Sequence, residues 1–245
     1  MKLFINAGGK GLRLGELTKD IPKPMVKIYG KPVLHHILDW AKDQKIKEIV
    51  MMNGYRAEKI VEYFGDGKDF GIKISHSNEN KPLDSGGPIK LAEQHIDGKF
   101  AYISGDHICD LNLGKMIDFH NEKDSDMSVL VHKSTHPHDS DILQIDGNSK
   151  VSRFVSKHEQ NRESIGDLSN SGLCIIEPKI IKLMDKEVFN FENYIYPKAL
   201  NQGLKLFGYH SEEFMHDMGA MDRIKRCEDY LWEKTLKELR GDFKL

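Results

Sequence analysis

Through the first hundred residues, short apolar runs alternate with stretches whose apolar positions recur every three or four residues. "KLFIN", "KEIVMMN", "IKISH" and "FAYISGD" read as strands, and "KPVLHHILDWAKDQ", "AEKIVEYF" and "GPIKLAEQH" as the helices between them. Alternation of this kind predicts βαβ units feeding a mainly parallel sheet. Pro32 stands where a first helical turn tolerates it, and Leu34, Ile37, Leu38 and Ala41 share one face, so that helix is expected to pack on the sheet. Further on, "MSVLVHK", "DILQID", "VSRFVS" and "SGLCIIEP" crowd together, with "DGNSK" as a tight turn between two of them. This half predicts more antiparallel pairing. Residues 221–239 read as a charged amphipathic helix that covers the fold. With no repeat and no low-complexity linker, the expectation is one compact α/β unit with a ligand lobe grown into its second half.

Composition narrows the class. A chain of 245 residues, 39% hydrophobic and 30% charged, suits an ordinary globular core. A net charge of −2 without any long block of one sign argues against a nonspecific nucleic-acid binder and favours a small ligand. Only Leu3, Phe4 and Ile5 are apolar before the first glycines, and no run approaches a membrane span, so the expected location is cytoplasmic. Cys109, Cys174 and Cys227 are too scattered for a zinc site or a disulfide framework and read as buried thiols.

The candidate chemistry begins directly after the first strand, in "NAGGKGLRLGELTKDIPKPM". Glycines permit positive φ and close backbone approach, and Arg13 and Lys23 add fixed positive charge beside them, a combination suited to phosphate. A dinucleotide fingerprint is disfavoured, because Leu14 occupies the place of the third glycine and the second strand closes in "VMMNGY" without an acidic residue. A Walker loop is absent from the stretch as well. A glycine turn without a ligand would leave both cations unexplained.

This stretch closely resembles the signature of the sugar-1-phosphate nucleotidyltransferases, G-G-x-G-x-R-L followed by L-T and P-K-P. Further fragments resemble that family in order: "ENKPLDSGGPIKLA" its base-contacting segment, "SGDHICD" its metal strand, "NSGLCIIEP" its N-A-G motif and "HDMGAMDRI" its closing D-I-G segment. The resemblance implies a Rossmann-like three-layer α/β/α fold of the nucleotide-diphospho-sugar transferase type, with a mainly parallel, mixed sheet. It implies a single domain over residues 1–245, with a nucleotide-binding half (1–125), a sugar-phosphate half (126–220) and a C-terminal helix (221–245). The implied reaction joins a nucleoside triphosphate to a sugar 1-phosphate and releases pyrophosphate.

Residue by residue, the resemblance implies that Ala7, Gly8, Gly9 and Gly11 cradle the triphosphate, with Arg13 on its leaving portion and Lys23 between the reacting phosphates. Pro22 and Pro24 stiffen the backbone around Lys23. Asp106 and Asp217 match two carboxylates that hold Mg²⁺, a number that suits an ion usually completed by phosphate oxygens and water; Asp110 is taken as a turn residue. Glu79, with Gly86 from the same segment, would contact the base, and a glutamate there favours GTP. Asp141, Lys157 and Asn170 would hold the sugar phosphate. The sugar region departs from the common pattern: Ser156, Lys157 and His158 stand where many relatives have E-K-P. "HPHDSDILQID" instead resembles the H-P-x-D-S-D of D-glycero-D-manno-heptose 1-phosphate guanylyltransferases. His136, His138, Asp139 and Asp141 are read as a polar sugar-facing loop rather than a transition-metal cluster, and His35 and His36 as surface or satisfied core residues. A homodimer is the assembly considered. The alternatives are a cytidylyltransferase acting on a phosphorylated alcohol or unusual sugar, and a catalytically silent sugar-nucleotide sensor, against which the complete set Arg13, Lys23, Asp106 and Asp217 stands.

Overall fold

A computed structural model of the chain describes residues 1–134, 137, 140–159 and 166–241. In β1 (Lys2–Ala7), Leu3, Ile5 and Ala7 enter one apolar cluster and Phe4 enters another, so the strand is buried on both faces and reads as a continuous apolar run. The small strands β2 (Lys27–Ile28) and β3 (Lys31–Pro32) lead into α1 (Val33–Asp43), and β4 (Glu48–Asn53), α2 (Ala57–Phe64), β5 (Lys73–Asn78), α3 (Gly87–Leu91) and β6 (Phe100–Ser104) follow. Strand β1 lies between β4 and β6, parallel to both, and β4 pairs in parallel with β5. The carboxyl ends of these four strands therefore share one edge, where open α/β sheets place their ligands.

The second half supplies β7 (His107–Cys109), α4 (Leu113–Glu122), β8 (Met127–Lys133), β9 (Ile142–Ile145), β10 (Val151–Val155), β11 (Leu168–Ile176), α5 (Phe191–Asn201), β12 (Leu206–His210), β13 (Met215–Asp217) and α6 (Met221–Leu239). Strand β11 runs antiparallel to β6, β8 and β9, and β9 pairs antiparallel with β10 through the turn at 146–150. With β12 parallel to β8, the main sheet has nine strands among the described residues, parallel in the first half and mostly antiparallel in the second, as the spacing of the apolar runs predicts. A separate ribbon pairs β7 with β13. One cluster packs α1, α2 and α6 against the sheet, and the other packs α3 and α5 on its opposite face, giving three layers.

Two local expectations change. The run read as one helix over 87–95 is α-helical only for Gly87–Leu91 and tightens through Ala92 to a 3-10 turn at Glu93–His95. Asp110 is more than a turn residue: it accepts hydrogen bonds from Tyr230 Oη and from Lys234 Nζ (2.8 Å), fastening α6 to the body. The helix matches its expected covering role, burying Ile224 and Cys227. All three cysteines are buried and unbridged, with burial pushing their thiols up to about 12. His36 is hydrogen-bonded to the Ile28 carbonyl (2.8 Å) and His35 to Tyr63 (3.0 Å). No described helix is long and apolar enough to cross a membrane.

Candidate active site

Where β1 ends at Ala7, the chain enters the glycine loop at the carboxyl edge of the sheet, between Asn53 of β4 and Ser104 of β6. Its carbonyls are committed to the protein: Gly8 O accepts from Tyr55 N (3.3 Å), Gly9 O from Lys23 N (3.2 Å), and Gly11 O from both Leu14 N and Thr18 Oγ1 (2.9 Å each). Those oxygens are held by the fold rather than left to repel an anion. Gly11 has φ +68°, and an added Cβ would stand 2.9 Å from Lys23 Cβ and from Thr18 Cγ2. Only glycine lets the loop close onto the Lys23 turn without strain or collision.

Two cavities open beside this loop and share Asn6, Gly9 and Lys10 along their walls. The first, about 480 Å³, is lined by Gly8, Tyr55, Glu79 and Ser85 among others. The second, about 530 Å³, is lined by Gly11, Arg13, Lys23, Asp106 and Gly219. Each has the size of a small-ligand cleft. Together they form a charge-balanced compartment joined to a cationic one along Asn6, Gly9 and Lys10.

In the second cavity, buried Lys23 forms an ion pair with Asp106. His107 Nδ1 approaches the other carboxylate oxygen at 2.9 Å, in electrostatic contact but without the alignment of a hydrogen bond. Burial alone would raise the Asp106 pKa, but His107 and Lys23 outweigh it and hold the carboxyl well below the usual range. The β7–β13 ribbon sets Asp217 opposite His107, and Met218 N donates to the Asp106 carbonyl (2.8 Å), so residues 111 apart in sequence become neighbours. Asp217 accepts from Arg223 Nη1 (2.6 Å) and from Gly219 N (2.8 Å). Arg13 reaches the same corner, its Nη2 lying 2.9 Å from where a Cβ on Gly219 would be. Arg13, Lys23, Asp106 and Asp217 thus converge. Asp106 and Asp217 are the residues that could hold a divalent cation, a donor set that fits an ion taking one or two carboxylates. Among the described residues no group of three or more His, Cys, Asp or Glu side chains is placed to hold a metal ion. His136, His138 and Asp139 lie outside the described residues.

Glu79 faces the first cavity. Its Oε2 accepts from Leu83 N (3.1 Å), while Oε1 lies over Gly8 and Gly54, 3.2 Å and 2.2 Å from where their Cβ atoms would be. Burial raises the pKa of this carboxyl, partly offset by the Leu83 N–H. Gly86, expected at the nucleotide, packs against Phe189 and does not line the first cavity. Its N–H donates to the Phe189 carbonyl (2.9 Å), and an added Cβ would stand 2.1 Å from the Phe189 ring; Asp84 and Ser85 line the cavity in its place. Ala7 is wholly buried at the strand end and supports the loop from beneath.

The sugar-side residues come together differently. Asp141 Oδ1 accepts from the backbone N–H of Lys157 (2.7 Å), so these two meet through the main chain and the Lys157 side chain stays exposed. Asn170 turns its amide toward Glu192 in the first turn of α5 (Nδ2 to Oε1, 3.5 Å), while its Oδ1 accepts from Gly172 N (2.9 Å). Glu192, His107 and Arg223 all escaped the sequence reading. His107 had a signal in its position directly after Asp106; Glu192 and Arg223 sit in ordinary helical first turns with none.

Residues 2–230 match the Nucleotidyl transferase family. The mannose-1-phosphate guanyltransferase of Yarrowia lipolytica is 30% identical over 224 residues, covering 89% of this chain. This chain spans only 61% of that relative's length. HddC from Yersinia pseudotuberculosis, in a crystal structure complexed with GMP-PN, superposes with a TM-score of 0.79 at 30% identity, over 94% of this chain and 99% of that one. A putative glucose-1-phosphate thymidylyltransferase from Bacillus anthracis gives 0.83 at 19% identity, over 94% of each chain, a likeness of fold.

Proposed function

The chain belongs to the nucleotidyl transferase family, and from that premise we propose that it joins GTP to a manno-configured hexose or heptose 1-phosphate, giving the GDP-sugar and pyrophosphate. The observation that carries this reading is that Arg13, Lys23 and Asp106 line a cavity sharing walls with the one faced by Glu79, with Asp217 beside Arg13 and Gly219 at its edge. The guanyltransferase relative and the GMP-PN complex of HddC support guanine as the base.

In this reading a phosphate oxygen of the sugar 1-phosphate attacks the α-phosphorus of the triphosphate. One P–O bond forms to that oxygen, the bond between the α-phosphorus and the bridging oxygen breaks, and the electron pair leaves with pyrophosphate. No covalent enzyme intermediate is needed. The obstacle is repulsion between two anions, so the largest protein contribution is fixed positive charge where they meet. Lys23 is held rigidly beside the glycine loop, and Arg13 offers a planar fork to the leaving phosphates. A magnesium ion held by Asp106 and Asp217 would supply charge neutralisation to the phosphate oxygens. Lys23 and Arg223 form ion pairs with these two carboxylates.

The test is a panel of nucleoside triphosphates against mannose 1-phosphate, a manno-heptose 1-phosphate and glucose 1-phosphate, read by pyrophosphate release. GTP with a manno sugar is expected to lead. Preference for CTP or dTTP would sink the base assignment, and nucleotide binding without any pyrophosphate would indicate a silent sensor.

A further inference from the structure

The polar chain that links the two cavity regions to the antiparallel half ends on a carboxylate that the proposed chemistry does not use. Asn6 Nδ2 donates to the Ser85 carbonyl (3.5 Å) and to Tyr102 Oη (3.2 Å). Ser85 Oγ accepts from Phe191 N (2.8 Å) and donates to Glu192 Oε2 (3.2 Å). Glu192 Oε1 receives a long contact from Asn170 Nδ2 (3.5 Å). Ser85 lines the first cavity, and Glu192 is hydrogen-bonded behind it, joining Ser85 to Asn170.

Three physical facts single this side chain out. No lysine, arginine or histidine among the described residues pairs with it, and the charges that act on it, Asp141 and Asp84, share its sign. Burial, with those two neighbours, raises its pKa against the pull of its own backbone N–H and of Ser85. An ionised carboxylate offers about four lone-pair sites, and here its donors are all neutral: the Ser85 hydroxyl, its own backbone N–H and, at the limit of hydrogen bonding, Asn170 Nδ2. A buried charge so poorly satisfied is costly to the folded state unless something else donates to it.

We propose that Glu192 is the residue that selects the sugar, its carboxylate accepting two neighbouring hydroxyl groups of a polyhydroxylated sugar phosphate while Asn170 and Ser85 hold it in place. This rests on the transfer reaction proposed above. Two adjacent hydroxyls suit the two carboxylate oxygens, and the weak Asn170 contact is one that a substrate can displace or share. A cation would meet a poorer site, since the remaining partners of Glu192 are a serine hydroxyl and an amide nitrogen, neither arranged with it as a cage.

The experiment measures steady-state KM and kcat of wild type and Glu192→Gln with GTP and mannose 1-phosphate, then with monodeoxy analogues each lacking one hydroxyl. The expected result is a rise in sugar KM of about 10–100-fold, the size of one lost charge-assisted hydrogen-bond set, with GTP KM changed less than about threefold. For the analogue lacking a hydroxyl bound by Glu192, wild type and variant should converge. Equal penalties for every analogue, a matching rise in GTP KM, or an unchanged sugar KM would each overturn the proposal. If the wild type is active with GTP and a sugar phosphate, any of these defeats the role of Glu192 alone; if it turns over no sugar phosphate at all, the reaction and this inference fall together. Glu192→Asp, which keeps the charge and withdraws it by one methylene, carries the same expectation and serves should the amide fail to fold.

Discussion

The phosphate side and the sugar side of this site are built by opposite means. On the phosphate side, one contiguous segment supplies the loop, Arg13 and Lys23, and parallel strands β1, β4 and β6 deliver it to a common edge. Its half-buried carboxylate, Asp106, is ion-paired with Lys23 and lies beside His107. On the sugar side, Asp141 comes from just before β9, Asn170 from β11 and Glu192 from α5, and no cation among the described residues pairs with the partly buried Glu192 carboxylate. The difference teaches where each half gains its binding strength: the first is organised for anions before any ligand arrives, whereas the second keeps acceptors waiting for neutral hydroxyl donors.

The strongest way to break this comparison is to remove the negative charges on the phosphate side. Asp106→Asn and Asp217→Asn should each lower kcat on the order of 1,000-fold with the fold intact, since each removes half of the carboxylate pair available to a metal. Circular dichroism checks the fold and pyrophosphate release the rate; near wild-type turnover in both would show that the pair holds no metal. Next in size is Lys23→Ala, expected to reduce kcat about 100-fold while GTP affinity falls much less, because its charge matters most as the phosphates approach. Equal losses in affinity and rate would reduce Lys23 to a general anchor.

Glu79→Gln probes the base end of the phosphate side. Because Oε2 is committed to the Leu83 N–H, the glutamine that preserves this bond must turn its NH₂ toward the cavity, against the donors on guanine. The loss for GTP should be about 1–3 kcal/mol, the cost of an unsatisfied buried polar group, with little change for UTP or dTTP. Specificity constants for the three triphosphates in both proteins decide it. Unchanged ratios would make Glu79 a structural tie to residue 83.

How much of this was legible before the structure follows the same divide. The glycine loop, Lys23 and the parallel order were readable because their chemistry sits within one short stretch and their strands alternate locally with helices. Asp106 and Asp217 were readable only through the resemblance, since nothing local says that β7 and β13 will pair. At Gly86 the structure shows the close approach of the Phe189 ring, a need for glycine that looks the same in a sequence as the need of a ligand. Asp110 looked like a turn residue because its partners, Tyr230 and Lys234, come from a helix more than a hundred residues later. Glu192 gave no signal, as an acidic residue in a helical first turn is commonplace and only the arrival of Ser85 and Asn170 sets it apart.

The smallest effect is the one that compares the two carboxylates directly, through pH. Asp106 has a folded pKa below its unfolded value, so its contribution to stability is present above the ordinary carboxylate range and is lost as pH falls through the folded value. Glu192 has a folded pKa above its unfolded value, so the folded state binds its proton more tightly; stability is favoured at low pH and is lost as pH rises through the raised folded value. In metal-free buffer, Asp106→Asn should therefore lower Tm at pH 7, and Glu192→Gln should raise it, by about 2–4 °C each, which is what roughly 1 kcal/mol amounts to in a chain of this size. At pH 4 the Glu192→Gln difference should shrink toward zero, because the wild-type carboxyl is then mostly protonated. The Asp106→Asn difference should persist at pH 4 and fade only at more acidic pH. Scanning calorimetry at the two pH values reads both. If both substitutions shift Tm in the same direction at pH 7, the two carboxylates occupy similar electrostatic surroundings, and the contrast between a cation-filled phosphate side and a donor-seeking sugar side fails.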